Sequence, residues 1–212
     1  IYQVDGYGAG GSPAAPAPDA SRLREGLGGE WSFDGATAGL EGEAKVVESP
    51  FGKAVSFTAD SDGVRITREE GMNVGTGDFT VAAWIHPRTP RKAGLVNLGG
   101  HNWTQGWHLE LGERGMLRLE TSDANNATNG IVASTPGVVR VNEWQHVAAV
   151  VRRGKNETRL YVNGFLVARG EIGAADLDNP RLGLQLGRVP GNPPFRGDLD
   201  EVRLYRRGLG GA

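Results

Sequence analysis

The densest set of groups able to do acid–base chemistry is Asp198-Leu199-Asp200-Glu201. Two carboxylates flanking one glycosidic bond can hydrolyse it, one protonating the leaving oxygen while the other attacks or activates water. On a strand successive side chains alternate, so Asp198 and Asp200 share a face and Glu201 points opposite. Asp60-Ser61-Asp62-Gly63 reads as a tight acidic turn. A hard cation such as calcium wants about six to eight oxygens, and this turn can supply several. Asp34 and Asp200 would join it if strands from the two ends of the domain pair, which makes Asp62, Asp34 and Asp200 the candidate ligands of a structural calcium ion. The competing reading is a solvated turn and a strand-end Asp capping backbone amides. Cysteine is absent, so thiolate catalysis, disulfides and Cys-based metal sites are excluded together. The four histidines stand without a Gly-x-Ser-x-Gly elbow, and so without a serine-hydrolase signature.

Recognition chemistry is better represented. His101-Asn102-Trp103-Thr104-Gln105-Gly106-Trp107 combines aromatic faces with amides, which stack on sugar rings and hydrogen-bond their hydroxyls. Trp103 and Asn102 are its candidate ligand contacts, while Trp107 begins a strand and reads as core. Asp123-Ala124-Asn125-Asn126-Ala127-Thr128-Asn129 is rich in short amides. Asn125 and Asn126 there bind hydroxyls or merely turn the chain. A third loop, Arg188-Val189-Pro190-Gly191-Asn192-Pro193-Pro194, is stiffened by three prolines and offers Arg188 and Asn192. His146 sits among apolar neighbours, as a ligand or general base or as a hydrogen-bonded structural histidine. Trp31, Trp84 and Trp144 each lie inside an apolar run and read as core. Asn102-Trp103-Thr104, Asn126-Ala127-Thr128 and Asn156-Glu157-Thr158 match the N-glycosylation pattern, which has meaning only in a secreted eukaryotic protein.

The elements that must position these groups are strands. The 212 residues suit one large domain or two small ones. Gly and Pro make up about a fifth of the chain, short of the roughly 25–30% that marks low complexity. A net charge of −2 leaves no basic surplus for a nucleic-acid backbone or an anionic membrane. No window approaches the ~18 apolar residues of a spanning helix, and no charged-then-apolar leader opens the chain. From Glu30 onward, apolar runs rich in β-branched and aromatic residues alternate with Gly, Pro, Asn and Asp. Strands are expected over 30–33, 44–47, 53–57, 64–67, 79–86, 94–98, 107–111, 116–120, 130–133, 144–152, 158–162, 166–169, 182–186 and 198–205. So many short strands imply two stacked sheets with negligible helix. Asn163-Gly164 predicts a two-residue type I′ hairpin, because both residues tolerate positive φ. Gly112-Glu113-Arg114-Gly115 predicts a second.

The N-terminal segment differs. The chain opens on Ile1 rather than Met, so the expectation is a processed product or a fragment. Residues 6–21 are Gly, Ala, Pro and Ser in the main, the composition of a linker. Such a tail lacks the apolar surface to offset an ordering cost of about 1–2 kcal/mol per residue, so order there is expected from contacts outside its own domain, or else from the tail lying along its own sheet edge. Ile1, Tyr2 and Val4 have strand-forming character and could add a strand to a neighbouring copy, a head-to-tail exchange that propagates into fibres unless it closes. The expected division is an extended segment over 1–26 and a sandwich over 27–212.

Six motifs in order resemble the laminin-G-like, concanavalin-A-like jelly-roll domains of extracellular and cell-surface proteins. They are Glu30-Trp31-Ser32-Phe33-Asp34, Phe51-Gly52-Lys53-Ala54-Val55-Ser56-Phe57, Asp78-Phe79-Thr80-Val81-Ala82-Ala83-Trp84-Ile85, Glu143-Trp144-Gln145-His146-Val147-Ala148, Leu160-Tyr161-Val162-Asn163-Gly164, and the run from Phe195 to Tyr205. The resemblance implies an all-β, two-sheet antiparallel jelly-roll sandwich. It implies an extracellular or cell-surface recognition or adhesion module binding a glycan or a surface protein; the N-terminal segment supplies the alternative, a structural subunit of an extracellular assembly joined by strand exchange. Related domains hold calcium near such acidic turns. Glycosidase relatives place their acids as Glu-x-Asp-x-Glu on one face, a spacing that 198–201 does not meet, so catalysis is not expected. Arg196-Gly197-Asp198, an integrin-type tripeptide, falls where the family's own strand begins and reads as framework.

Overall fold

Alternation decides the architecture. In the computed structural model, which describes residues 24–35, 39–99, 104–123, 125 and 128–210, the chain runs through β1 (Leu27–Trp31), β2 (Leu40–Glu41), β3 (Lys45–Ser49), β4 (Gly52–Phe57), β5 (Gly63–Ile66), β6 (Phe79–Pro87), β7 (Ala93–Leu98), β8 (Gly106–Leu111), β9 (Leu117–Ser122), β10 (Thr128–Ala133), β11 (Gln145–Arg152), β12 (Glu157–Val162), β13 (Phe165–Gly170), β14 (Leu184–Leu186) and β15 (Gly197–Tyr205). There is almost no helix among the described residues, apart from 3-10 turns at Glu70–Met72 and Arg153–Lys155. The first sheet is ordered β13-β12-β11-β6-β15-β4-β3, with β1 also paired to β15, and the second β10-β9-β8-β7-β14-β5-β2. Every pairing is antiparallel. β2 and the strand limits are the main departures from the expected runs.

The core lies between the sheets. From β6 it takes Phe79, Val81, Ala83 and Ile85, and from β11 Val147, Ala149 and Val151. The second sheet contributes Trp107, Leu109 and Leu111 of β8 with Leu117 and Leu119 of β9. Trp107 is fully buried, its ring 5.4 Å from that of Phe79. Both expected hairpins form. Val162 pairs Phe165 across Asn163 (φ 50°) and Gly164 (φ 79°), the positive-φ pair of a type I′ turn. Leu111 pairs Leu117, and Arg114 and Gly115 take positive φ.

Two expectations need correction. Trp84 and Trp144 are not core: both are half-buried and lie on the face of the first sheet turned away from it. Phe51 stacks on Trp84 with ring centres 4.1 Å apart and meets Trp144 edge-on at 5.8 Å. An indole inside an apolar run can lie on either face, and here the period-2 pleat puts Phe79, Val81, Ala83 and Ile85 inward. Trp31 is half-buried and packs against the core from β1. Glu201 does not point opposite to Asp200, because a bulge between Asp200 and Arg203, with Glu201 at φ 50°, breaks the alternation. Its carboxylate pairs with Arg203.

Candidate functional site

Strand register assembles a row of polar side chains across the outer face of the second sheet. Arg65 of β5 is opposite Gln185 of β14, Gln185 opposite Asn97 of β7, Asn97 opposite His108 of β8, and His108 opposite Glu120 of β9. One rung along, Glu110 is opposite Arg118. Their neighbours on each strand face the core, so alternation alone places these side chains outward.

Half of this row is closed by charge. Arg118 spans Glu110 and Glu120 with its two terminal nitrogens. Asn192 donates to Glu110 Oε2 at 2.7 Å, Lys92 Nζ stands 3.9 Å from Oε1, and His108 Nε2 lies 3.5 Å from Oε2. His108 and Glu110 are fully buried. Burial raises the Glu110 carboxyl, but His108, Arg118 and Lys92 outweigh it and hold the group below its ordinary value. His108, Glu110 and Glu120 bring ligand atoms within 4.8 Å of one another. The Arg118 guanidinium already occupies the cationic position between the two carboxylates, so the cluster is satisfied without a metal.

The other half opens into a cleft of about 450 Å³. It is lined by Arg65, Arg68, Asn97, Thr104, Arg181 and Gln185, with Gly99 and Pro190 among the other lining residues. Asn97 is only 4% exposed and donates to Gln185 Oε1 at 3.3 Å, while its own Oδ1 has no partner among the described residues. A buried amide oxygen left open is costly unless a ligand or water completes it. Gly183 lets this wall form: a Cβ there would lie 2.0 Å from the Ile66 carbonyl oxygen, so only glycine brings 181–183 against β5. Arg68 ties the same segment down through the Leu182 carbonyl at 3.3 Å and an ion pair with Asp178.

The expected binding residues are distributed unevenly around the cleft. Trp103, Asn102 and Asn126 lie outside the described residues, although Gly99 and Thr104, which flank the first two in sequence, both line it. Asn125 is exposed, its backbone N–H donating to Asp123 Oδ1. Of the proline-rich loop, Pro190 reaches the cleft, whereas Arg188 donates to the Ser61 carbonyl at 3.3 Å and Asn192 is committed to Glu110. Ile1, Tyr2 and Val4 also lie outside the described residues. Arg65, Asn97, Gln185 and Arg181 were not singled out from sequence. For Arg65, Asn97 and Gln185 the signal was available in the alternation of β5, β7 and β14, but the cross-strand register that aligns them was not.

The calcium ligands do not converge. Asp62 accepts the backbone N–H groups of Glu43, Thr58 and Ala59 at 2.6–2.7 Å. Burial pushes its carboxyl up, and those amides more than reverse the push, leaving it below its ordinary value. Asp200 accepts the Ser49 hydroxyl at 2.5 Å and the Glu201 amide at 2.7 Å, and burial raises it, with Asp34 adding to the rise. Asp34 accepts the Lys53 amide at 2.8 Å. Glu43 lies in the turn before β3 and Ser49 at the strand's far end, so Asp62 is roughly 15 Å or more from the other two. Each of the three carboxylates already serves a backbone or side-chain donor. Asp198 of the integrin-type tripeptide is buried and gripped by both of its oxygens by Arg88, at 2.8 and 2.7 Å, so it reads as framework. His146 is half-buried with its ring against the edge of Trp84, and burial, helped by Arg203, lowers its pKa.

Residues 58–212 match the family described as the concanavalin A-like lectin/glucanases superfamily, with the laminin-G type as the matching member. The chain belongs to that superfamily. No curated protein matches it in sequence. Among solved structures, this concanavalin A-like fold is similar to the binding domain of Paraclostridial Mosquitocidal Protein 1, at TM-score 0.67 and 20% identity over 81% of this chain. The chain spans only 44% of that domain's length. It is similar to the CBM40 of the Ruminococcus gnavus IT-sialidase, solved with α2,3-sialyllactose, at TM-score 0.62, 19% identity, 74% of this chain and 91% of that one. A third relative is domain 4 of AbnA, a GH43 extracellular arabinanase from Geobacillus stearothermophilus, solved with arabinotriose, at TM-score 0.64, 20% identity, 87% of this chain and 94% of that one. At these identities the likeness is one of fold. No helix among the described residues is long and apolar enough to cross a membrane.

Proposed function

We propose that this concanavalin A-like chain is a non-catalytic carbohydrate-binding module, displayed outside the cell or on its surface, that takes a glycan in the cleft over Arg65, Gln185 and Asn97. The observation that carries this reading is the cleft itself, where strand register gathers Arg65, Asn97 and Gln185 and where the buried Asn97 Oδ1 has no partner among the described residues. Two relatives of the same fold were solved with saccharides, which supports it. The Glu110–Glu120 pair is committed to Arg118 and neither carboxylate is among the described residues that line the cleft, which favours binding there over hydrolysis.

Calorimetric titration with the oligosaccharides that score on a glycan array tests the assignment. Asn97→Leu should weaken binding about ten-fold while the thermal midpoint stays near that of the wild type. Equal affinity in the two proteins would remove the cleft from the reading.

A further inference from the structure

We infer that the cleft selects an anionic saccharide, one whose oxyanion, a carboxylate or a sulfate ester, is held by Arg65 and Arg181; this rests on the glycan-binding reading above. Three arginines line the cleft, and no Asp or Glu is among its described lining residues. Arg65 and Arg68 are each paired to a carboxylate outside that lining, Glu41 and Asp178, which leaves Arg181 as the guanidinium with no counter-charge among the described residues.

The three guanidinium groups are not equivalent. Arg68 spends one terminal nitrogen on the Leu182 carbonyl and the other on Asp178, so it braces the wall. Arg65 gives only Nε to Glu41, at 2.7 Å, and its terminal nitrogens have no partner among the described residues. The Arg181 side chain makes no ion pair or hydrogen bond among the described residues, and its backbone is pinned by the Asn179 side chain at 3.1 Å. Close packing of Gly183 on β5 brings Arg181 to the wall that Arg65 shares. A guanidinium with free terminal nitrogens offers the paired donors that fit a planar or tetrahedral oxyanion, and these bonds exceed neutral ones in strength. The amides of Asn97 and Gln185 remain for ring hydroxyls. Arg65 and Arg181 therefore read the charge and the amides read the sugar.

Titrations of the full chain with oligogalacturonate, sialyllactose, sulfated lactose, lactose and arabinotriose test this. At least one acidic probe should bind about ten-fold tighter than its neutral counterpart, with the advantage shrinking in high salt. The uronate, sialyl and sulfated probes show which source of the oxyanion the cleft takes. Arg181→Ala and Arg65→Ala should each reduce acidic binding toward the neutral level with unchanged melting, and Arg181→Lys should recover only part. Equal affinity for acidic and neutral probes overturns the inference and leaves the glycan module standing. An acidic preference that survives both substitutions also overturns it. Absence of binding to every saccharide overturns the glycan module and this inference together.

Discussion

The outer faces of the two sheets share one core, yet their central rows are made of different materials. On the second sheet the outward row runs Arg65, Gln185, Asn97, His108 and Glu120, with charges buried in a network around Arg118. On the first sheet the corresponding rows run His146, Trp84 and Asp200, then Tyr161, Ala148, Ala82 and Arg203. The aromatic row is half covered by Phe51, and beside it an apolar groove of about 400 Å³ is lined by Ala82, Ala148, Val150, Tyr161 and Tyr205. The contrast is what favours the second sheet in the proposed glycan-binding reading. Apolar side chains on the first sheet pack against one another with no demand for a partner, whereas Asn97 leaves a buried acceptor open.

Breaking the charged network should have the largest effect. Arg118→Met strands Glu110 and Glu120 without their cation, and removing one partner of a buried pair costs about 3–5 kcal/mol. Urea unfolding at neutral pH measures it. A loss near zero would mean that the two carboxylates find other partners and that the faces differ less than their geometry suggests.

Acid should act with opposite sign on Glu110 and on the Asp200–Glu201 pair. Glu110 titrates below its ordinary value in the folded protein. Its stabilisation is therefore present above the unfolded glutamate range and is lost as pH falls through the folded value. Asp200 and Glu201, on the first sheet, are raised, chiefly by burial. Each binds its proton more readily folded than unfolded, so acidification below the raised value favours the native state. Unfolding curves taken from neutral to acid pH should therefore flatten in Glu110→Gln and steepen in Asp200→Asn. Identical slopes in the two variants would contradict the assignment.

The smallest effect belongs to the aromatic row. Phe51→Ala removes a stacked and an edge-on contact from a ring that is 39% exposed, a loss of about 1 kcal/mol. Thermal unfolding should show a small drop, with glycan affinity unchanged. A change in affinity would assign ligand contact to the first sheet and reverse the comparison.

Much of the fold was legible before any coordinates, because it follows from local chemistry. Phe79, Val81, Ala83 and Ile85 repeat with period 2, and Asn163-Gly164 can satisfy one tight turn. These are properties of neighbouring residues, and neighbouring residues are adjacent in sequence. The turn at Asp62 was also visible, along with the reading of an Asp that caps backbone amides. Trp84 and Trp144 were misplaced because hydrophobicity says that an indole seeks cover without saying which face supplies it; the exposed ring of Phe51 does so from another hairpin. Glu201 was misplaced because a bulge costs little locally and leaves no mark in composition. The cleft was hidden for a different reason. Arg65, Asn97, Arg181 and Gln185 are ordinary polar residues scattered over more than a hundred positions, and nothing in their types relates them. Strand order and register bring β5, β14 and β7 side by side, and Gly183 lets a loop close on β5. Periodicity sets which side of its own strand each residue takes, while the pairing of distant strands, a matter of global packing, decides which residues become neighbours.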